Sequence, residues 1–206
     1  MDDRRTQIMQ AAMQGVRKYG LDGVRIQQIG EIAGVPASSI YTYFHTKDEL
    51  MCACFVQIDR QIAAIFDQVT LTQQEIGTDP EGAVRKLWTP YYLWLISHPD
   101  ETVFYHRYRD NPGFPEYDKT RDISYFASFV GCVTQFQEHY HIFSHVDPNI
   151  IWLHILTSTV LFAKYVVQGV LADTDQTREN IFRLLVRGVD GLFTENSTSS
   201  GAERTS

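Results

Sequence analysis

The stretch from Ile26 to Leu50, IQQIGEIAGVPASSIYTYFHTKDEL, constrains the fold of this chain more than any other. Ile29, Ile32 and Ala33 recur at the three- and four-residue spacing that places side chains on one face of an α-helix. Gly34 follows them, and glycine readily adopts the left-handed backbone conformation in which many helices end. The stretch therefore predicts a short helix that stops at a tight turn.

A second short helix is predicted from Ala37 to Phe44, after a turn made of Val35 and Pro36. Pro36 suits the beginning of a helix, where no backbone N–H donor is needed. Ile40 and Phe44 lie four residues apart and form its apolar face. Its other face carries hydroxyl groups, at Ser38, Ser39, Tyr41, Thr42 and Tyr43. Hydroxyls on a short exposed helix suit a surface that meets phosphates and base edges.

A long helix is predicted to follow, from Lys47 to about residue 69. Thr46 and Glu49 form the S/T-x-x-E pattern of a capping box, which marks a helix start. Apolar residues then continue at helical spacing, at Leu50, Cys54, Ile58, Ile62, Ile65 and Val69. The helix begins beside the polar face and must end in another part of the molecule, so it could act as a lever between the two.

In this region the chain resembles the helix-turn-helix of the tetracycline-repressor (TetR) family of bacterial transcription regulators. The family pattern is roughly I-A-x-x-A-G-V-S-x-x-T-L-Y-x-H-F-x-x-K-x-E-L. The chain matches it at Ile29, Ala33, Gly34, Val35, Tyr41, Phe44, Lys47, Glu49 and Leu50, and conservatively at Ser39 and Ile40. The matches combine core, turn and aromatic positions, and they cover about the first quarter of the chain.

The chain also departs from that pattern. Gly30 stands where alanine is usual, Pro36 where serine is usual, and Ala37 and Ser38 where the pair is often Lys-Gly. Arg25 occupies the position at which a threonine or serine usually caps the first helix. These departures affect DNA-contact and capping positions, so the operator sequence does not follow from the resemblance, but the hydrophobic frame is intact.

The resemblance implies an all-α fold of about nine helices in two parts. We call residues 1–46 the head, a three-helix DNA-binding domain, and residues 47–193 the body, a domain for ligand binding and dimerisation. Residues 194–206 contain few apolar side chains and are expected to be disordered. The residues expected to contact DNA are Arg25, Gln27, Gln28, Ala37, Ser38, Ser39, Tyr41, Thr42, Tyr43 and Lys47, with Tyr41 and Lys47 on phosphates.

The charge distribution allows DNA binding despite a net charge of −7. Residues 1–50 contain six Lys/Arg and six Asp/Glu, so the acidic excess lies entirely in the remainder of the chain. A neutral head predicts modest non-specific affinity for DNA. Arg4 and Arg5, at the start of a predicted helix over residues 4–19, could reach a phosphate or remain solvated.

The body is predicted to be helical throughout, with residues 70–78 as a polar connection. A helix from about residue 80 to 97 contains Pro90, which should kink it, and helical periodicity resumes over residues 118–142. Residues 149–171 are the most apolar stretch and predict a buried core helix, before a last helix over about 176–193. The resemblance implies that the last two helices pair with their copies in a homodimer.

Aromatic residues cluster between Trp88 and Phe136, next to the predicted kink. Some must fill the core, yet apolar walls with a few polar groups are also what small-ligand pockets need. The resemblance implies a ligand pocket in the body, for a small, largely apolar effector. The candidate lining residues are Tyr91, Trp94, Phe104, Tyr108, Phe126, Phe129 and Trp152.

Three other interpretations have less support. His141 and His145 lie four residues apart and could chelate a metal if one helix continued through both, but neither a metal nor another cofactor is expected. No catalytic motif such as G-x-S-x-G, H-E-x-x-H or a P-loop occurs, which argues against an enzyme built on the aromatic body. A helical interaction protein whose head binds no DNA remains the main alternative.

The composition of the chain indicates the cellular location and the partners to expect. No run of about 18 apolar residues occurs, so no membrane span is expected. The beginning of the chain lacks the apolar core of a secretory signal. Three cysteines without metal or redox spacing suit a reduced cytoplasm. The expected partners are a double-stranded DNA operator, a small-molecule effector and a second copy of the chain.

Overall fold

The computed structural model describes residues 3–114, 118–119, 122, 124–138, 146–147, 150–151 and 153–188. These ranges are helical and contain no β-strand, so the all-α prediction is confirmed. The helices delimited within them are α1 (Asp3–Tyr19), α2 (Ile26–Ala33), α3 (Ala37–Tyr43), α4 (Lys47–Asp67), α5 (Gln73–Thr78), α6 (Pro80–Ser97), α7 (Pro99–Arg109), α8 (Ala127–Glu138), α9 (Ser158–Val167) and α10 (Asp175–Arg187). A 3₁₀ turn precedes α8, at Ser124–Phe126, and a π turn precedes α9, at Leu153–Thr157.

The predicted turn between α2 and α3 is confirmed. Gly34 has a φ of 65°, in the left-handed region. The N–H of Val35 donates to the carbonyl of Gly30 at 2.9 Å, and the N–H of Gly34 donates to the carbonyl of Glu31 at 3.3 Å. These two bonds pair the last carbonyls of α2, which have no partner within the helix.

Gly30 shows why the chain departs from the family pattern there. A Cβ atom built on Gly30 would lie 2.7 Å from the carbonyl oxygen of Val35 and 3.3 Å from the nitrogen of Ala37. The α2–α3 turn therefore comes closer to α2 than an alanine at this position would permit. The usual alanine would push the turn, and with it the beginning of α3, away from α2.

The capping box at the start of α4 is also present. Thr46 Oγ1 accepts the N–H of Glu49 at 3.0 Å, and the Glu49 carboxylate accepts the N–H of His45 at 2.7 Å. The predicted apolar stripe is buried at Leu50, Cys54, Ile58 and Ile62 and half-buried at Ile65 and Val69. Because α4 packs against α1 and also against α6, α7 and α8, it lies at the centre of the molecule.

The head and the body share one hydrophobic core. A single cluster of buried side chains runs from Ile8 on α1, through Ile40 on α3 and Phe55 on α4, to Phe182 on α10. No helix within the described ranges combines the length and hydropathy needed to cross a membrane.

The prediction of a polar connection over residues 70–78 was wrong, because α5 occupies most of it. Thr72 caps α5 by accepting the N–H of Glu75 at 3.2 Å, and the Glu75 carboxylate accepts the N–H of Thr72 at 2.8 Å. Ile76 is completely buried and anchors the short helix. The sequence TQQE carried this capping signal, but one apolar side chain is too few for a periodic pattern.

The prediction that residues 149–171 form a buried core helix was wrong for one face. Val160, Ala163 and Val166 on α9 are buried, as expected. Other large apolar side chains of the same stretch are exposed, namely Ile150, Leu153, Leu161, Tyr165 and Val170. The described chain therefore leaves an apolar strip, made of these five residues, open to solvent.

The remaining body helices agree with the predicted pattern where they are described. The helix α6 continues through Pro90, and Asp79 caps it by accepting the N–H of Gly82 at 2.8 Å. The last helix, predicted over residues 176–193, ends at Arg187, and residues 189–193 lie outside the described residues. The predicted helix over 118–142 is described chiefly as the 3₁₀ turn and α8, while His141 and His145 also lie outside.

Candidate nucleic-acid interface and internal cavity

The helix α3 presents a hydroxyl-rich face to solvent. Ser38, Tyr41 and Thr42 are exposed, with 51% of the Tyr41 side chain accessible. Ala37, Ser39 and Tyr43 are half-buried beside them. The opposite face is packed, because Ile40 and Phe44 are almost completely buried. The predicted division of this helix into an apolar and a polar face is thus present in the structure.

The predicted contact residues at the start of α2 differ in their freedom to bind. Arg25 and Gln27 are exposed. The side-chain oxygen of Gln28 instead accepts the backbone N–H of Arg25 at 2.8 Å. Gln28 therefore helps to cap α2 by pairing the backbone N–H of residue 25, whereas the usual threonine or serine at position 25 would pair the backbone N–H of residue 28. Gln27 is the better placed of the two glutamines for contact with another molecule.

Lys47 is held at the start of α4 by the head. Its ammonium donates to the carbonyl oxygen of Leu21 at 2.8 Å, in the turn between α1 and α2. A lysine ammonium has three donors, so this bond leaves two for a phosphate. The bond also keeps the lysine on the same side of the head as that turn.

Arg5 does not extend into solvent. Its guanidinium donates to the carbonyl oxygen of Tyr43 at 2.9 Å and lies 4.1 Å from the centroid of the Phe44 ring. Arg17 forms an ion pair with Asp100 at 3.0 Å, and so it too has a partner within the protein. Because such partners compete with phosphates, the electrostatic attraction of the head to DNA is weaker than its number of cations suggests.

The body contains a small internal cavity of about 50 Å³, walled by α4, α6, α8 and the π turn. Its lining is almost entirely apolar and consists of Phe66, Val84, Leu87, Trp88, Tyr91, Phe129, Cys132, Val133, Phe136, Ile151, Ile155 and Leu156. The two polar groups of its aromatic residues are already bonded. The Tyr91 hydroxyl donates to the carbonyl of Leu156 at 3.1 Å, and the Trp88 indole N–H donates to Thr159 Oγ1 at 3.0 Å.

The cavity lies where the sequence predicted a pocket, but only two of the predicted lining residues that the structure describes face it. Tyr91 and Phe129 form part of the wall. Trp94 instead stacks on His98, with ring centroids 4.5 Å apart. Phe126 is buried in the core without lining the cavity.

The other predicted lining residues lie elsewhere or are not described. Phe104 and Tyr108 stack on each other at a centroid distance of 5.7 Å, and Tyr108 also lies 4.9 Å from Phe55 on α4. Tyr108 borders a separate cleft between head and body, which Lys47 also lines. Trp152 lies outside the described residues.

Helical spacing identifies the residues that selection by aromatic character missed. The α6 wall consists of Val84, Leu87, Trp88 and Tyr91, and the α8 wall of Phe129, Cys132, Val133 and Phe136. Each set has the i, i+3, i+4, i+7 spacing of a single helix face. Extending one face from Tyr91 and another from Phe129 would have found both walls in the sequence.

A buried polar contact joins α4 to α7, the body helix that also packs against α1. Asp59 on α4 is completely buried, and its carboxylate accepts the hydroxyl of Tyr105 on α7 at 2.5 Å. The Arg109 guanidinium lies 3.4 Å from the same hydroxyl. Burial, and then the adjacent Asp59 carboxylate, raise the pKa of Tyr105 well above its ordinary value. Tyr105 therefore remains a neutral donor to a buried carboxylate.

The end of α1 is docked on the same helix of the body. The Arg107 guanidinium on α7 donates to the carbonyl oxygen of Val16 and lies 3.4 Å from that of Arg17. These carbonyls belong to the last turn of α1, where a cation is favoured by the helix dipole, and that of Val16 also accepts the N–H of Gly20 at 2.9 Å. Thus α7 contacts both long helices that reach the head, α1 and α4.

Comparison with known proteins agrees with this architecture. Residues 8–54, which span most of α1, α2, α3 and the start of α4, match the family described as bacterial regulatory proteins, tetR family. The chain is also 32% identical over 99 residues to the HTH-type transcriptional repressor NicS of Pseudomonas putida. That match covers 48% of this chain and 45% of the repressor, so the chain matches less than half of its relative's length.

Solved structures extend the similarity in fold to nearly the whole chain. A TetR family transcription regulator from Marinobacter aquaeolei has a TM-score of 0.69 at 17% identity, and the match covers 89% of this chain and 94% of that one. The fatty acid degradation regulator FadR of Bacillus halodurans has a TM-score of 0.66 at 17% identity, with 92% and 97% covered. The head sequence, the helix-turn-helix geometry and the fold therefore agree: residues 8–54 match the tetR family of bacterial regulatory proteins, and the chain shares its fold with solved TetR family regulators.

Proposed function

We propose that the chain is a DNA-binding transcriptional repressor that reads its operator with α3. The observation that carries the proposal is the exposed hydroxyl face of α3, on a helix that Ile40 and Phe44 fix to the core. An isolated seven-residue helix would not persist in water, so its rigid presentation depends on this packing. The named relatives are transcription regulators, which supports this role rather than that of an enzyme, and we expect it to be carried out in the cytoplasm.

The contact residues divide into two proposed roles. Tyr41 and Lys47 would bind phosphates and set the position of the head on the duplex. Bases or local DNA shape would be read by Gln27, Gln28, Ala37, Ser38, Thr42 and Tyr43, flanked by Arg25 and Ser39. Glutamine can bond bidentately to adenine, and the exposed Gln27 is the stronger candidate because the oxygen of Gln28 is already bonded.

Selection of bound sites from random duplex DNA should yield one preferred operator sequence. On that operator, Lys47→Ala is expected to weaken binding and to lower the slope of log K against log[salt] by about 1, the effect of one lost phosphate contact. Tyr41→Ala should weaken binding through the loss of a hydroxyl contact, and Tyr41→Phe should reproduce most of that loss. Fluorescence anisotropy titrations over a range of salt concentrations measure both quantities.

Lys86→Ala provides the matched control for the lysine. Lys86 is an exposed lysine that pairs with Glu75 at 2.8 Å, but it lies on α6 in the body. Its replacement should leave the affinity and the salt slope unchanged. Wild-type affinity in both Lys47→Ala and Tyr41→Ala would contradict the proposed placement of DNA, and the absence of any selected sequence would contradict the function itself.

We also propose that the chain is a homodimer formed through its last two helices. The support is the apolar strip, since five large apolar side chains in contact with water are unfavourable and such patches commonly mark interfaces. A two-fold dimer would present two heads, with recognition helices about 34–36 Å apart or a multiple of that distance. The operator is then expected to be a near-palindrome.

Replacing Leu161 with aspartate tests the dimer. Leu161 is an exposed member of the apolar strip, so the change should do little to a folded monomer but should bury a charge in the proposed interface. Light scattering is expected to give a dimer mass for the wild type and a monomer mass for the variant at micromolar concentration. A wild-type monomer under these conditions would be the contrary result.

The proposed effector is a small, largely apolar molecule that enters the cavity of the body. All polar groups of the aromatic wall are bonded, so the cavity offers a ligand only apolar contacts. Its volume of about 50 Å³ is well below the roughly 300–1,000 Å³ of ordinary ligand pockets. Binding would therefore have to move the walls apart, and Phe66, near the end of α4, is one of them.

This displacement provides a mechanism for release from DNA. The helix α4 begins at Lys47, beside the proposed DNA surface, and its last turn carries Phe66. A ligand that pushes on Phe66 would tilt α4 and alter the position of the heads. Typical coupling free energies of about 1–3 kcal/mol would lower operator affinity by roughly 5- to 150-fold. The FadR of Bacillus subtilis, of similar fold, has been solved with stearoyl-CoA, whose acyl chain is also apolar.

A further inference from the structure

Two side chains of α1 bind the C-terminal ends of the helix-turn-helix. Gln7 donates its amide N–H to the carbonyl oxygen of Ala33, the last residue of α2, at 2.8 Å. Arg5 donates to the carbonyl oxygen of Tyr43, the last residue of α3, at 2.9 Å. The helix α1, which is not part of the helix-turn-helix, thus binds the C-terminal ends of both α2 and α3.

These contacts answer a specific need of the backbone. The last carbonyls of a helix have no N–H partner within it, and they carry the negative end of the helix dipole. A guanidinium at that end is favoured by charge, and the Arg5 guanidinium also lies 4.1 Å from the centroid of the Phe44 ring, within range of a cation–π interaction. Arg5 therefore fixes both the terminal carbonyl and the aromatic anchor of α3.

The short length of α3 makes its orientation depend on such contacts. It contains seven residues, and Pro36 at its N-terminal boundary provides no side-chain hydrogen bond. Ile40 within the helix and Phe44 at its C-terminal boundary are its buried residues, and both anchor the same face. Arg5 and Gln7 supply further fixed points, at the ends of α3 and of the helix on which it packs.

We propose that Arg5 and Gln7 are positioning residues that set the sequence specificity of the repressor without touching DNA. The inference rests on the proposed reading of DNA by α3. Hydrogen bonds to base edges require defined distances and angles, so they are lost when α3 shifts by a fraction of an ångström. Attraction to phosphates depends weakly on such shifts, so loss of either residue should reduce specific binding selectively.

The test compares Arg5→Met with the wild type on the selected operator and on a scrambled duplex. Methionine keeps an unbranched stem but removes the charge and all donors. We expect the ratio of specific to non-specific affinity to fall roughly tenfold, the equivalent of about one lost base contact, with an unchanged salt slope. Gln7→Met should lower the same ratio to a smaller extent. Arg5→Lys, which keeps the charge but lacks the planar guanidinium, should restore part of it.

Lys18→Met is the control, because Lys18 is an exposed cation at the other end of the same helix. It should change the affinity for both duplexes by the same factor. All variants are assayed below their melting temperatures, since a loss of folded protein would lower both affinities equally and leave the ratio unchanged. If Arg5→Met fails to fold, Arg5→Lys alone must still lower the ratio.

Three results would overturn the inference. Equal losses on the two duplexes, with a salt slope lowered by about 1, would make Arg5 a phosphate contact instead. A ratio equal to that of the wild type in both Arg5→Met and Gln7→Met would show that neither contact sets specificity. A wild-type protein that selects no duplex would remove the proposed function first, and the inference with it, before any variant is compared.

Discussion

Replacing Phe66 with alanine is expected to lower the free energy of unfolding by about 3–5 kcal/mol, the usual range for loss of a buried phenylalanine. The Phe66 ring is almost completely buried, 4.7 Å from the centroid of Phe129 and 5.5 Å from that of Tyr91. Because α4, α6 and α8 meet at this point, the surrounding helices cannot easily collapse into the space. Chemical denaturation followed by circular dichroism measures the change.

Ile65→Ala is the matched control for this variant. Ile65 is the preceding residue of α4, is half-buried and does not line the cavity. Ile65→Ala should lower the free energy of unfolding by less than Phe66→Ala, and it should not enlarge the cavity. The Phe66→Ala cavity should accept a small aromatic molecule such as benzene, as apolar cavities of about 150 Å³ do, and benzene should then raise its melting temperature more than that of Ile65→Ala. Equal shifts in the two variants would argue against a cavity at this site.

The same site decides the proposed switch. Apolar compounds that raise the melting temperature of the wild type should also release the operator, and Phe66→Ala should weaken this release, because the residue that transmits the displacement is gone. Compounds that stabilise the protein but never change operator affinity would leave a binding cavity without a switch. The mechanism through α4 would then be wrong, although DNA binding by α3 would be unaffected.

Replacing Tyr105 with phenylalanine is expected to lower the free energy of unfolding by about 1.5–3 kcal/mol, the range for a hydrogen bond to a charged group. The hydroxyl that disappears donates to Asp59, whose carboxylate is completely buried on α4. The ring, which stacks on Phe55 at a centroid distance of 4.8 Å, is retained. Tyr41→Phe, which removes an exposed hydroxyl, should leave stability unchanged.

Tyr105 also predicts a dependence on alkaline pH. Its folded-state pKa is raised, mainly by burial and then by Asp59, so the unfolded chain loses this proton first as the pH rises above about 10. The resulting stabilisation of the folded state is complete below pH 10 and is lost progressively above it. Burial also raises the pKa of Tyr91, which adds to the decline. Tyr105→Phe should therefore lose stability less steeply above pH 10 than the wild type, and an identical slope would contradict this account.

Local signals were sufficient to predict the head. The turn at Gly34 and the capping box at Thr46 depend on residues within a few positions of one another, and the resemblance to the TetR family rests on the same local pattern. The contact of Arg5 with Tyr43 could not be predicted in this way, because the two residues are 38 positions apart and nothing in the sequence pairs them. Their proximity follows from how the first turn of α1 lies beside the end of α3.

The body was harder to predict because apolar character alone does not show which side chains face the core and which face solvent. The stretch over residues 149–171 is apolar on all sides, so its sequence could not separate the buried Val160 from the exposed Leu161. The cavity wall was missed for a related reason, since aromatic side chains occur both in the wall and in the solid core around Phe55. Only the packing of α4, α6 and α8 distinguishes the two environments.

The π turn at Leu153–Thr157 sets the directions in which the side chains of α9 point around the helix axis. Each residue advances an α-helix by about 100°, and a π turn takes up one residue more than an α turn, so it rotates everything that follows by about that angle. Ile155 and Leu156, within the π turn, face the cavity, whereas Leu161 and Tyr165 point outward. Deleting a single residue here would leave the helix intact but would rotate its exposed side chains by about 100° around the helix axis. The one extra residue of the π turn thus allows Ile155 and Leu156 to face the cavity while the apolar strip faces solvent.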